Sequence, residues 1–143
     1  MATQPHPQEI VIIPIIEAAK RGNEDQIEEL LRLRHPVNKT DGLLNTPAHY
    51  AAAGGHVAAL EVLIRAGANV NAINKAGDTP LHKATWKNHL AAIDYLLKHN
   101  ATRDIANQDC KIPLDLAKSK DARQLLVPPI VFGILFSQLF YFY

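Results

Sequence analysis

The sequence is poor in what most functional chemistry needs. Among 143 residues there is one Cys, one Met and one Trp. One Cys cannot build a disulfide framework and suits a reducing compartment. One Met removes the adaptable, Met-lined groove of promiscuous binders. Basic residues exceed acidic ones by a single charge, which leaves no footprint for nucleic acid or an anionic surface. No phosphate-cradling loop, dinucleotide fingerprint or Ser elbow occurs. The apolar run Ile10 to Ile16 is broken by Pro14, and the only charged side chain before it is acidic Glu9. A secretory leader wants a basic start and a longer apolar core, so none is expected. Aromatics are scarce until the end: six of the nine, including all four Phe, lie between Phe132 and Tyr143. No charged side chain follows Arg123. An apolar content of 48% can supply one domain's core and argues against disorder, but part of it belongs to that tail.

What the sequence does have is a period. Pro14, Pro47, Pro80 and Pro113 are 33 residues apart, as are Ala18, Ala51, Ala84 and Ala117. With Pro at about 5% of residues, three such coincidences arise by chance about once in ten thousand. Units begin at Ile13, Thr46, Thr79 and Ile112, the last one shorter. Each reads as two short helices. Thr46 and Thr79 can cap the first helix, with Pro47 and Pro80 where a missing N–H costs nothing. Gly55 and Asn88 tolerate the left-handed conformation that ends it. The second helix carries apolar residues at i, i+3 and i+4 (Ile27, Leu30, Leu31; Leu60, Leu63, Ile64; Ile93, Leu96, Leu97) and ends at Gly67 or Asn100.

The strings Thr79-Pro80-Leu81-His82, Gly77-Asp78, Gly54-Gly55-His56 and Gly67-Ala68-Asn69-Val70-Asn71-Ala72, at this spacing, resemble the ankyrin repeat. The resemblance covers 13 to about 126. It implies an all-α solenoid of about four stacked helix-turn-helix units joined by β-turn loops, with residues 1–12 as a lead-in and 127–143 as a hydrophobic tail. One unit cannot bury its apolar faces alone, but neighbours can. Ile13 and Ile16 replace the motif Thr and His in the first unit, which suits an end repeat. Leu44 and Cys110 stand where the third unit has Gly77. Leu is poor at positive φ, so the turn before Thr46 is expected to rebuild around Asp41-Gly42. Arg103 takes the place of Val70 and is expected to snorkel. In the fourth unit the second helix is expected to be about four residues short, with Leu125-Leu126 matching Leu96-Leu97.

Seven His invite a metal reading, but the pairs within a unit are seven apart, His49 with His56 and His82 with His89. Two ligands on one helix face need a spacing of about four. The resemblance implies instead that His49 and His82 hydrogen-bond neighbouring loops, and that Asn71 ties down a loop. Cys110 has Asp109 and Lys111 as neighbours in a loop, but nothing pairs it with a base in an assembled site. No acid, base and nucleophile assemble, so neither an enzyme nor a cofactor is expected.

What remains is recognition. The resemblance implies that a partner protein meets the loop tips and the exposed ends of the first helices, on a concave face. The candidates are Trp86, Lys87, Lys83, Tyr50, Lys75, Asp78, Asn45, Lys111 and Lys120. Trp86, the single Trp, sits where the fold needs no bulk, and Trp is enriched at binding hot spots. Residues 79–111 carry five Lys/Arg against three Asp/Glu, which favours a partner with an acidic segment and, with the low total charge, no nucleic acid. The expected role is an adaptor or scaffold in the cytoplasm, with the nucleus also open. Alternatives are an N-terminal regulatory ankyrin portion or splice form of a larger enzyme or channel, and a membrane-tethered adaptor. The last would use weak contact through 130–143, which at 14 residues is short of a span of about 20.

Overall fold

The computed structural model describes residues 11–128. Seven α-helices and one 3₁₀ turn come in order, with no strand among the described residues: α1 (Pro14–Arg21), α2 (Glu24–Arg32), α3 (Pro47–Gly54), α4 (Val57–Arg65), α5 (Pro80–Trp86), α6 (Leu90–Lys98), the turn Pro113–Leu116 and α7 (Lys120–Leu126). α1, α3 and α5 pack as one layer, and α2, α4, α6 and α7 as a second. The first layer is built on Ala18, Ala51 and Ala84, all without exposed surface. Such small side chains let these helices approach closely. The second layer seals itself with larger residues, Ile27, Leu60, Leu63, Ile93, Leu96 and Leu126, all buried. Each such side chain stabilises by roughly 1.5–3 kcal/mol.

Local chemistry sets the helix ends. Thr46 accepts from the His49 amide, and Thr79 from the His82 amide, while each His ring accepts back from the Thr amide at 3.0 and 3.1 Å. This is a reciprocal cap. Gly55 closes α3 at φ +70°, where an added Cβ would also lie 2.6 Å from the His89 ring. Conformation and space thus both demand Gly there. Asn88 and Asn100 take the same left-handed geometry, and so does Arg34, which stands one period before Gly67.

Two expectations about turns and units are corrected. The turn before Thr46 is organised by Asp41, as expected, but Gly42 does not take the left-handed place. Leu44 itself adopts φ +60° and Cys110 φ +57°, matching Gly77 at +78°. The reason is an Asx scaffold. Asp41 Oδ1 accepts from the amides of Leu43 and Asn45, Asn74 Oδ1 from Ala76 and Asp78, and Asn107 Oδ1 from Asp109 and Lys111. The side chain at the loop's start imposes the turn whatever residue occupies the left-handed position. In the fourth unit the shortening falls mainly on the first helix, which is reduced to the 3₁₀ turn. Ser119, expected by register near that helix's end, caps α7 instead, accepting from the Ala122 amide. Buried Ala122 and Leu126 then stand where Ala92 and Leu96 stand in the third unit. Leu126 matches Leu96, not Leu97. The lead-in lies outside the described residues except for Val11 and Ile12, both largely exposed. The tail lies outside them except for Val127 and Pro128.

Candidate functional site

The loops after each helix pair are joined sideways. Lys75 N donates to Leu43 O, and Gln108 N to Ala76 O. Asn74 Nδ2 donates to Asn45 Oδ1 and Asn107 Nδ2 to Asp78 Oδ1, at 2.8 and 2.9 Å. His49 Nε2 donates to Asp78 O and His82 Nε2 to Lys111 O, at 2.9 and 3.0 Å. The neutral Nε2–H form suits both rings, since Nδ1 already accepts from the Thr amide. Burial, outweighing the Asp78 carbonyl, lowers the His49 pKa. At the other ends of the helices, His56 reaches Lys20 O and His89 reaches Ala53 O. Asn71 accepts from Thr102 N and donates to Asn100 O, and Asn38 does the same for Asn69 N and Gly67 O. The His and Asn residues are therefore joints between repeats. Among the described residues no cluster of three His, Cys, Asp or Glu could hold a metal ion.

On this frame the sequence-predicted residues separate. Lys83 and Trp86, three apart on α5, face the same way. Trp86 remains 51% exposed. It divides two grooves. One, of about 280 Å³, is walled by Tyr50, Ala53, Lys83, Trp86 and Lys87, with Asn45 and His49 behind them. The other, of about 220 Å³, lies towards the fourth unit and is lined by Asp78, Lys83, Trp86, Asn107, Asp109 and Leu116, with His82 behind. Lys83 Nζ stands 2.9 Å from Asp78 Oδ2. Burial opposes the Asp78 charge, but the hydrogen bonds from Asn107 and Lys83 outweigh it and hold the carboxyl below its ordinary pKa. Tyr50 donates to Asp41 Oδ2 at 2.6 Å, with Lys20 Nζ 4.7 Å above its ring centre. Burial and that carboxylate push the phenol pKa up. Burial also works against Asp41, but the donors Tyr50, Asn45 and Leu43 prevail and lower its pKa.

Asn45, Asp78 and Lys111 are not at loop tips, as the register suggested. Each closes a loop at its base, where its amide meets the Asx side chain. The tips are 42–44, 75–77 and 108–110. Asn45 is only 8% exposed and is held by Tyr50 and Asn74, so packing occupies it. Lys75 and Lys111 are exposed, and Lys120 opens α7 rather than ending a first helix; none of the three lines either groove. Sequence reasoning missed Lys118, whose Nζ lies 4.0 Å over the Trp86 ring centre. Of the Asx series Asp41, Asn74 and Asn107 it singled out only Asp41, and the 33-residue period could have revealed the other two.

No helix among the described residues is long and apolar enough to cross a membrane. A search of curated proteins returned no significant match. A family model described as ankyrin repeats, in three copies, matches residues 15–109. Ankyrin repeats generally mediate protein–protein interaction. With the helix pairs, the Thr–His caps and the joined loops in place, a match over most of the chain decides the matter: this protein belongs to the ankyrin-repeat family.

Proposed function

We propose that this protein is an adaptor or scaffold whose binding unit, residues 13–126, presents the first-helix face and loop tips to a partner protein without catalysis. The observation that carries this reading is Trp86, a large apolar side chain left half exposed between two grooves. A bulky indole with no core to fill is the kind of residue on which interfaces concentrate their energy. Because hydrogen bonds join each loop to the next, the surface is preformed, and little ordering entropy is lost on docking. On the Tyr50 side, exposed Lys87 forms no ion pair among the described residues. It and Lys83 would meet an acidic segment of the partner, with Lys75, Lys111 and Lys120 flanking. The exposed thiol of Cys110 suits the reducing cytoplasm. The test is an unbiased pull-down with the full chain beside a Trp86→Ala/Lys87→Glu variant of unchanged melting point. Proteins captured by the first and lost by the second support the reading. A variant that stays folded and keeps every captured protein sinks it.

A further inference from the structure

The two grooves beside Trp86 differ in sign. The Tyr50 side has Lys83 and Lys87 on its walls; the other side has Asp78 and Asp109. This second slot exists because the first helix of the fourth unit stops after Leu116. A longer helix would have placed side chains beside the indole. Instead the chain turns away and Lys118 folds back, its ammonium 4.0 Å from the ring centre. A cation over an indole face is attracted by the ring quadrupole. The molecule thus already places one of its own cations on the indole. The slot's volume of about 220 Å³, at roughly 30 Å³ per water, leaves space for a long side chain. Asp109 is exposed and forms no ion pair among the described residues. Asp78 spends one oxygen on Lys83 and the other on Asn107, so Asp109 is the carboxylate open to a newcomer.

We infer that the partner segment carries an arginine-type cation that displaces Lys118 from the Trp86 indole and pairs with Asp109. It lies beside the acidic stretch that meets Lys87. This rests on the reading of the face as a docking surface and adds a polarity to it: acid towards the second repeat, base towards the fourth. A planar guanidinium suits the slot better than an ammonium, since it stacks flat on the ring and offers a fork of donors to the carboxylate.

Trp86 is the only Trp in the chain, so its fluorescence reports the slot directly. The full chain is titrated with acetyl-arginine-methylamide and with the neutral isostere acetyl-citrulline-methylamide. The expected result is a saturable change with the arginine probe and weaker binding of citrulline by about two- to fivefold. Lys118→Ala should tighten the arginine probe by a similar factor, because the resident competitor is gone, and Asp109→Asn should loosen it. Lys118→Gln repeats the measurement if the alanine variant loses its melting transition. Equal response to both probes, or looser binding in both Lys118 variants, overturns the inference. Proteins captured through Trp86 are then challenged with each probe. Release by arginine but not citrulline supports the inference. Capture that needs Trp86 but resists the arginine probe overturns it and leaves the docking reading standing. Arginine binding without any Trp86-dependent capture counts against the docking reading instead.

Discussion

The third repeat and the unit opening at Pro113 start alike and finish differently. In the third, Thr79 and His82 close a cap, and the ring continues through Nε2 to the Lys111 carbonyl. In the fourth, Ile112 and Asp115 keep only the local half, with Asp115 Oδ2 accepting from Ile112 N at 3.0 Å. Nothing in Asp115 can reach forward as an imidazole does. The first helix lasts one 3₁₀ turn, while α7 still packs through Ala122 and Leu126. A helix of seven or eight residues is far below the length that stands alone in water, about 12–15. In the interior repeats such helices persist because they are held on two sides. The layer of α3 and α5 therefore depends on neighbours on both sides.

Cavities probe that difference most strongly. Leu63→Ala, at a position with no exposed surface, should cost about 2–5 kcal/mol, read as a lower denaturation midpoint. Leu126→Ala, in the less supported unit, should cost less because the site can collapse. Equal losses would mean that the fourth unit is as well held as the second. Next comes His82→Ala, which breaks the bond to the Lys111 carbonyl and strands the buried Thr79 amide, at about 1–3 kcal/mol in all. Asp115→Ala should cost no more than about 1 kcal/mol, since its bond is exposed and local. A comparable drop from both would erase the distinction between a joint and a cap.

Acid tests the same joint without a mutation. The His49 pKa is lowered from its ordinary value of 6.5 in the fold, so below that pH the unfolded chain binds the extra proton first. The stability that His49 contributes is present above pH 6.5 and is lost as pH falls through the lower folded value. His49→Gln should flatten the slope of melting point against pH in that range; an unchanged slope would place the titration elsewhere. The smallest effect concerns the loops. Leu44→Gly should raise stability by about 0.5–1 kcal/mol, by relieving a left-handed leucine at φ +60°. A loss there would show that the Leu44 side chain contributes more than its backbone costs.

The period alone makes the architecture readable. Pro47 and Pro80 open helices, Gly55 and Asn88 end them, and His49 and His82 reach neighbouring loops as the resemblance implied. Legibility failed where a side chain overrides a residue's own preference. Leu44 looked unfit for positive φ because Leu propensity ignores the two hydrogen bonds that Asp41 accepts from the Leu43 and Asn45 amides. It failed again where register slips, since counting by 33 put Ser119 and Lys120 at a helix end that does not form. The candidate surface was half visible. Trp86 stood out by its rarity, but Lys118 lies over it only because three positions relative to the third repeat are missing ahead of Ser119, which redirects the chain after Leu116.

The joints have one more consequence. His49 to Asp78, Asn71 to Asn100 and His89 to Ala53 span 29, 29 and 36 residues. Every such bond reaches the adjacent repeat and stops there. The described structure thus approximates translational symmetry: each repeat senses its neighbours and carries no record of how many others exist. A duplicated 33-residue unit, inserted between Ala72 and Ile73 in register, would meet the same partners on both sides that its template meets. The array can lengthen without redesign, and only the end units must differ.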